Sequence, residues 1–104
     1  MAENISNNKW YVYMIRCKDN SLYTGITIDV ARRFDEHQND KIKGAKYLRG
    51  RAPLELVYIK KIGTKSEASK MEYYIKKLSK TNKERLLFDS TIITGDSIAK
   101  IKTK

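Results

Sequence analysis

The strongest pattern in the chain is the run Lys9 to Cys17, which reads KWYVYMIRC and is apolar at both odd and even positions. A run rich in aromatic and β-branched residues, with neither parity polar, predicts a central strand covered on both faces. Lys18-Asp19-Asn20-Ser21 is a cluster of turn formers, and Leu22 to Ile26 (LYTGI) is a second short strand, so the two predict a β-hairpin. Thr27 is placed to cap a helix from about Ile28 to Asn39, with Asp29 favourable in its first turn. Pro53 opens a third strand, roughly Leu54 to Ile62, which Gly63 ends. Thr64 with Glu67 fits a capping box at the head of a helix from about Lys65 to Ser79. Thr81-Asn82 interrupts the pattern, and Lys83 to Phe88 predicts a short last helix. The order β-β-α-β-α-α predicts an α+β domain, with helices flanking a small three-stranded antiparallel sheet. Met1 to Asn8 reads as a flexible N-terminus, residues 9–88 as the folded domain, and residues 89–104 as a weakly ordered basic tail.

Several polar residues sit out of phase with this pattern. At 100° per residue, Val30 and Phe34 anchor the first helix, while Arg32, Asp35 and Glu36 fall on the solvent side. Arg33 and His37 fall on the flank of the apolar stripe, one turn apart. An arginine there is expected to be paired or functional, because unpaired buried charge is costly. On the next helix Ala68, Met71, Ile75 and Leu78 mark the buried stripe, and Glu72 sits on its shoulder. Two readings of Glu72 stay open: an ion pair with Lys76 one turn on, or a cleft carboxylate that holds Mg²⁺ together with a substrate phosphate. His37 likewise reads either as a hydrogen-bonded packing residue or as a chemical group.

Seven tyrosines against two phenylalanines add a further question. Tyr13 and Ile15 share a strand face, as do Tyr23 and Gly25. A hairpin loop with an odd residue count puts Tyr13 and Tyr23 on the same side, and a two-residue loop puts them on opposite sides. Trp10 reads as a core-edge residue and Cys17 as a small buried hydrophobe.

Charge changes the picture most. Twenty-two Lys and Arg oppose twelve Asp and Glu in 104 residues, a net +10. That exceeds the charge of about 2–8 that keeps a small domain soluble, and points to a polyanion partner. The loop from Asp40 to Ala52 holds Lys41, Lys43, Lys46, Arg49 and Arg51 with Tyr47, and Gly44 and Gly50 give it flexibility. Those five cations, with Lys76, are the expected nucleic-acid-binding residues. A single cysteine excludes an internal disulfide and a CxxC zinc pair, and no run approaches the roughly 20 apolar residues of a membrane helix. A cytoplasmic, monomeric protein with no membrane partner is expected.

The ordered set Tyr11-Val12-Tyr13, Tyr23-Thr24-Gly25, Arg33 ten residues after Tyr23, His37 and Glu72 resembles the GIY-YIG nucleases over about Lys9 to Leu87. Tyr23-Thr24-Gly25-Ile26-Thr27 with Arg32-Arg33 and His37 looks like the small stand-alone bacterial members, the UPF0213-like group. The resemblance implies a GIY-YIG endonuclease-like fold. It also implies a metal-dependent DNA endonuclease of low sequence specificity, acting in DNA repair or recombination, with one Mg²⁺ or Mn²⁺. By the same resemblance Tyr13 is the general base, Tyr23 positions the water or phosphate, and Arg33 clamps the phosphate. His37 takes the tyrosine's proton, Glu72 carries the metal, and Gly25 allows a close backbone approach. Two positions depart from the family: Tyr11 stands where glycine is typical, and Ile26 where many members have lysine. Asn82 is the only nearby match to a later family asparagine. A non-catalytic module binding DNA or RNA on the same fold is the alternative, and RNA is not excluded as the partner.

Overall fold

The computed structural model describes residues 9–40 and 42–94, with side chains as far as Asp89. The expected flexible segment Met1 to Asn8, the cation Lys41 and the last part of the basic tail, residues 95–104, lie outside the described residues. Strand β1 (Trp10–Arg16) is central, flanked by β2 (Leu22–Thr27) and β3 (Glu55–Gly63) in the order β2-β1-β3. Both pairings are antiparallel. Helix α1 (Val30–Asn39) follows β2, a 3₁₀ turn spans Lys46–Leu48, and helices α2 (Lys65–Lys76) and α3 (Lys80–Thr94) follow β3.

The two parities of β1 serve two cores, as its doubly apolar sequence requires. Val12 and Met14 pack with Leu22, Tyr58, Ala68 and Ile75 on the face covered by α2 and α3. Tyr13 and Ile15 pack with Cys17, Leu48 and Leu54, joined by Val30 and Phe34 of α1, on the other face. Trp10 packs at the edge of the first core, and Cys17 is free and buried. Arg16 leaves the sheet toward α3, where its two terminal nitrogens each donate to Glu84 at 2.8 Å.

Two helix starts differ from the sequence expectation. Asp29, not Thr27, caps α1: its carboxylate accepts the Arg32 amide at 3.0 Å. Thr27 Oγ1 instead accepts the Asp29 amide at 3.2 Å and orients the cap. Thr81-Asn82 does not interrupt the last helix. Ser79 Oγ accepts the Asn82 amide at 3.1 Å, so the two polar residues form the first turn of a helix of 15 residues. Residues before a helix and residues in its first turn share the same polar chemistry, which is why the pattern alone misplaced the start. The Thr64/Glu67 capping box is present as expected.

Candidate active site

The hairpin turn between Arg16 and Leu22 holds five residues, an odd number, and the register sets Tyr13 opposite Gly25 and Ile15 opposite Tyr23. Both tyrosines therefore project onto the α1 face. Tyr13 is 1% exposed. Its ring lies over the backbone of Gly25: a Cβ built there would stand 2.5 Å from Tyr13 Oη and 2.6 Å from Cζ. Glycine is required at position 25 because the tyrosine ring occupies the space of a side chain.

Helix α1 brings His37 to the same place. His37 is 8% exposed, and its Nε2 lies 2.7 Å from Tyr13 Oη. The Tyr13, Tyr23 and His37 rings are mutual neighbours, with Tyr23 edge-on to His37 at 5.4 Å between centroids. The other imidazole nitrogen, Nδ1, accepts the backbone amide of Ala45 at 3.0 Å. Gly44 permits this contact. A Cβ there would meet the Glu36 and Asp40 carbonyl oxygens at 2.9 Å and His37 Cα at 3.2 Å. Gly44 thus seats the basic loop against the end of α1, rather than loosening it.

The amide of Ala45 fixes the histidine tautomer. An N–H donates only, so Nδ1 holds a lone pair and a neutral ring carries its hydrogen on Nε2. Burial first, and the Arg33 cation second, push the His37 pKa down to about 4, so the ring is neutral at pH 7. His37 Nε2–H therefore donates to Tyr13 Oη. In this tautomer Nε2 presents a hydrogen, not a lone pair, to Tyr13.

Burial, with Tyr23 alongside, holds the Tyr13 phenol well above its ordinary pKa of 10, while the Arg33 cation pulls the other way. Arg33 Nη1 donates to Glu36 at 2.8 Å and to the Lys43 carbonyl at 2.7 Å. Glu36 was expected on the solvent side, and its side chain is only 15% exposed. Sequence reasoning missed it as the partner of Arg33, although the i,i+3 spacing was there to read.

Glu72 does not join this cluster. Its helix packs on the opposite face of the sheet, and its carboxylate, 24% exposed, pairs with Lys76 at 3.1 Å. Among the described residues no group of three His, Cys, Asp or Glu side chains is arranged to hold a metal ion. A single accessible carboxylate can serve a hard ion such as Mg²⁺, which keeps several waters and takes one or two carboxylates plus substrate phosphate oxygens, once the Lys76 ammonium gives up its place. It does not suit zinc, which needs three or four protein ligands.

Of the expected nucleic-acid contacts, Lys43, Lys46 and Arg49 are exposed on the loop that covers this face. Arg51 is folded along the surface against Tyr47 and Asp19. An open cleft of about 470 Å³ runs beside His37 between the end of α1 and the loop, lined by Gln38, Asn39, Leu48, Arg49 and Pro53 among others.

The family profile described as the GIY-YIG catalytic domain matches residues 9–85. The UPF0213 protein of Photorhabdus laumondii is 43% identical over 98 residues, covering 94% of this chain and 92% of that one. The UPF0213 protein of Pectobacterium carotovorum is 51% identical over 100 residues, covering 94% and 99%. The solution NMR structure of a UPF0213 protein from Bacillus halodurans is 49% identical, covers 75% of this chain and 81% of that one, and superposes with a TM-score of 0.49. With its tyrosine pair, arginine, histidine and glutamate in the family's order, the chain belongs to the GIY-YIG family, in the UPF0213 group of small bacterial proteins.

Proposed function

We propose that the protein hydrolyses phosphodiester bonds in DNA, with low sequence specificity, using Tyr13, Tyr23, Arg33, His37 and Glu72. The contact that carries this reading is Tyr13 Oη to His37 Nε2 at 2.7 Å, with the Arg33 cation beside it under a basic loop. A phosphate seated at Arg33 meets a planar donor fork that Glu36 and the Lys43 carbonyl hold in place through Nη1. A water between that phosphate and Tyr13 passes its proton to the phenolic oxygen as its own oxygen attacks phosphorus. Tyr13 serves as base in its ionised form, which the His37 N–H and the Arg33 charge both favour. Tyr23 walls the space in which that water stands. The P–O bond opposite the water breaks, and the leaving oxygen takes a proton from solvent. Glu72 would hold one Mg²⁺ or Mn²⁺, which when bound would supply positive charge toward the nucleic-acid phosphates.

Net charge +10 and the exposed Lys43, Lys46 and Arg49 support a nucleic-acid partner. Among the described residues no helix reads from its sequence as a dedicated major-groove reader, which favours backbone contacts. The test is cleavage of linear, nicked and branched DNA with Mg²⁺ or Mn²⁺, beside Glu72→Gln. Metal-dependent cutting lost in the variant, with binding retained, supports the reading; equal cutting by both proteins defeats it.

A second reading has an observation of its own. Glu72 pairs with Lys76 on the far side of the sheet, and the Tyr13 phenol is hard to ionise. Both fit a nucleic-acid-binding module without turnover. Steeply salt-dependent binding of DNA or RNA with no cleavage on any substrate would favour it.

A further inference from the structure

Three residues around this site have no part in the chemistry above. Tyr47, on the basic loop, is 43% exposed, yet its ring stacks on Tyr23 with centroids 5.9 Å apart and planes 24° apart. Left alone, so exposed a ring gains rotamer entropy by swinging into water. It is held from the loop's other end. The Arg51 guanidinium carbon lies 4.2 Å from the Tyr47 ring centroid, and Arg51 Nε donates to the Tyr47 carbonyl at 2.8 Å. Arg51 Nη1 donates to the Asp19 carboxylate on the hairpin turn.

Asp19 is itself oriented. One carboxylate oxygen accepts the Ser21 amide at 3.1 Å and the Ser21 hydroxyl at 2.6 Å, which leaves the other for Arg51. The Lys18 amide donates to the Arg51 carbonyl at 2.8 Å and closes the same junction through the backbone. The turn that sets the tyrosine register thus also ties down the basic loop.

We infer that Tyr47 is a positioning residue for Tyr23, kept in place by an Arg51–Asp19 latch. Only a guanidinium suits the latch, because one planar group must lie on a ring and fork to two oxygens at once. Tyr23 stands between Tyr47 and the His37 ring, so a displaced Tyr47 loosens the wall beside Tyr13. Arg51 acts through Tyr47 rather than on substrate. The consequence for cleavage rests on the nuclease reading; the latch itself does not.

The two are separated by recording the side-chain ring resonances of Tyr23 and His37 by NMR, together with Mg²⁺-dependent DNA cleavage. The proteins are wild type, Tyr47→Phe, Tyr47→Leu, Asp19→Asn and Arg51→Lys. Tyr47→Phe keeps the stack and should match wild type. Tyr47→Leu keeps the Arg51 bond to the backbone and removes only the ring. It should shift the Tyr23 and His37 resonances while the amide spectrum of the sheet stays native, and should slow cleavage roughly tenfold, the scale of a small misplacement at a reacting centre. Asp19→Asn and Arg51→Lys should do the same, and high salt should reproduce the effect in wild type, because the pair is exposed and screened. Tyr23 resonances unmoved in Tyr47→Leu would overturn the inference. Shifted resonances in a wild-type background that cleaves nothing would uphold the latch and remove the nuclease reading.

Discussion

Tyr13 Oη and His37 Nε2 lie 2.7 Å apart, and the hydrogen between them belongs to His37, because the Ala45 amide occupies Nδ1. The histidine is a donor to the tyrosine oxygen, so it stabilises a phenolate rather than creating one by taking a proton. Replacing it with alanine raises an already elevated phenol further. His37→Ala should lower cleavage at pH 7.5 by about 100-fold, the lower end of a general acid–base contribution. It should also move the alkaline rise of the rate to higher pH. A histidine that takes the proton would instead leave the alkaline rise where it is.

Wild-type activity should climb with pH through the neutral and alkaline range, because burial keeps Tyr13 protonated at neutrality. The same shift acts on stability. The folded phenol ionises later than the unfolded one, so its contribution is complete below pH 10 and is lost as pH rises above that. Denaturant midpoints measured from pH 8 to 11 should fall only at the upper end.

His37 governs the acid side. Its folded pKa of about 4 lies below the ordinary 6.5, so the unfolded chain binds the proton first. Its contribution, about 3 kcal/mol, is present above pH 6.5 and drains away as pH falls toward 4. Glu84, held down to about 2 by Arg16 first and Lys80 second, adds a smaller loss below pH 4.5. His37→Phe should flatten the first phase and spare the second, as read by denaturant midpoints between pH 3 and 7.

Gly25→Ala places a methyl group where Tyr13 Oη and Cζ now lie. Overpacking a closed site of this kind costs about 1–3 kcal/mol. The ring must move away from His37, so cleavage should fall far more than stability. A melting temperature lowered by about 5–20 °C, in a protein that still folds, with near-complete loss of cutting is the expected pair of results. Unchanged cutting in a folded Gly25→Ala protein would remove Tyr13 from the reaction.

Much of this was readable in the chain. The doubly apolar parity of β1 announced a central strand between two cores, whereas the odd turn length that puts Tyr13 and Tyr23 on one face is visible only in the strand register. Helical phase found Arg33 and His37 on the flank of α1. What stayed hidden depended on contacts between elements. No local signal says that the Ala45 amide reaches His37, that Gly44 is packed rather than loose, or that Arg51 folds back on Tyr47. Glu72 shows the limit of phase alone. Its place on the shoulder of α2 was legible, but which face of the sheet α2 covers was not.

The five-residue turn between β1 and β2 carries one more consequence. A deletion of one residue from Cys17 to Ser21 shortens the loop but leaves Tyr23 and Gly25 on the α1 side, because residues directly opposite in an antiparallel pair share a face and the two cores hold Tyr13 against Gly25. A residue inserted beside Thr24 acts differently: strand positions alternate, so Tyr23 and Gly25 come to face opposite sides. Tyr13 then either meets an ordinary side chain in place of the glycine or loses its tyrosine neighbour. Changes of length should therefore be borne by the turn and not by β2.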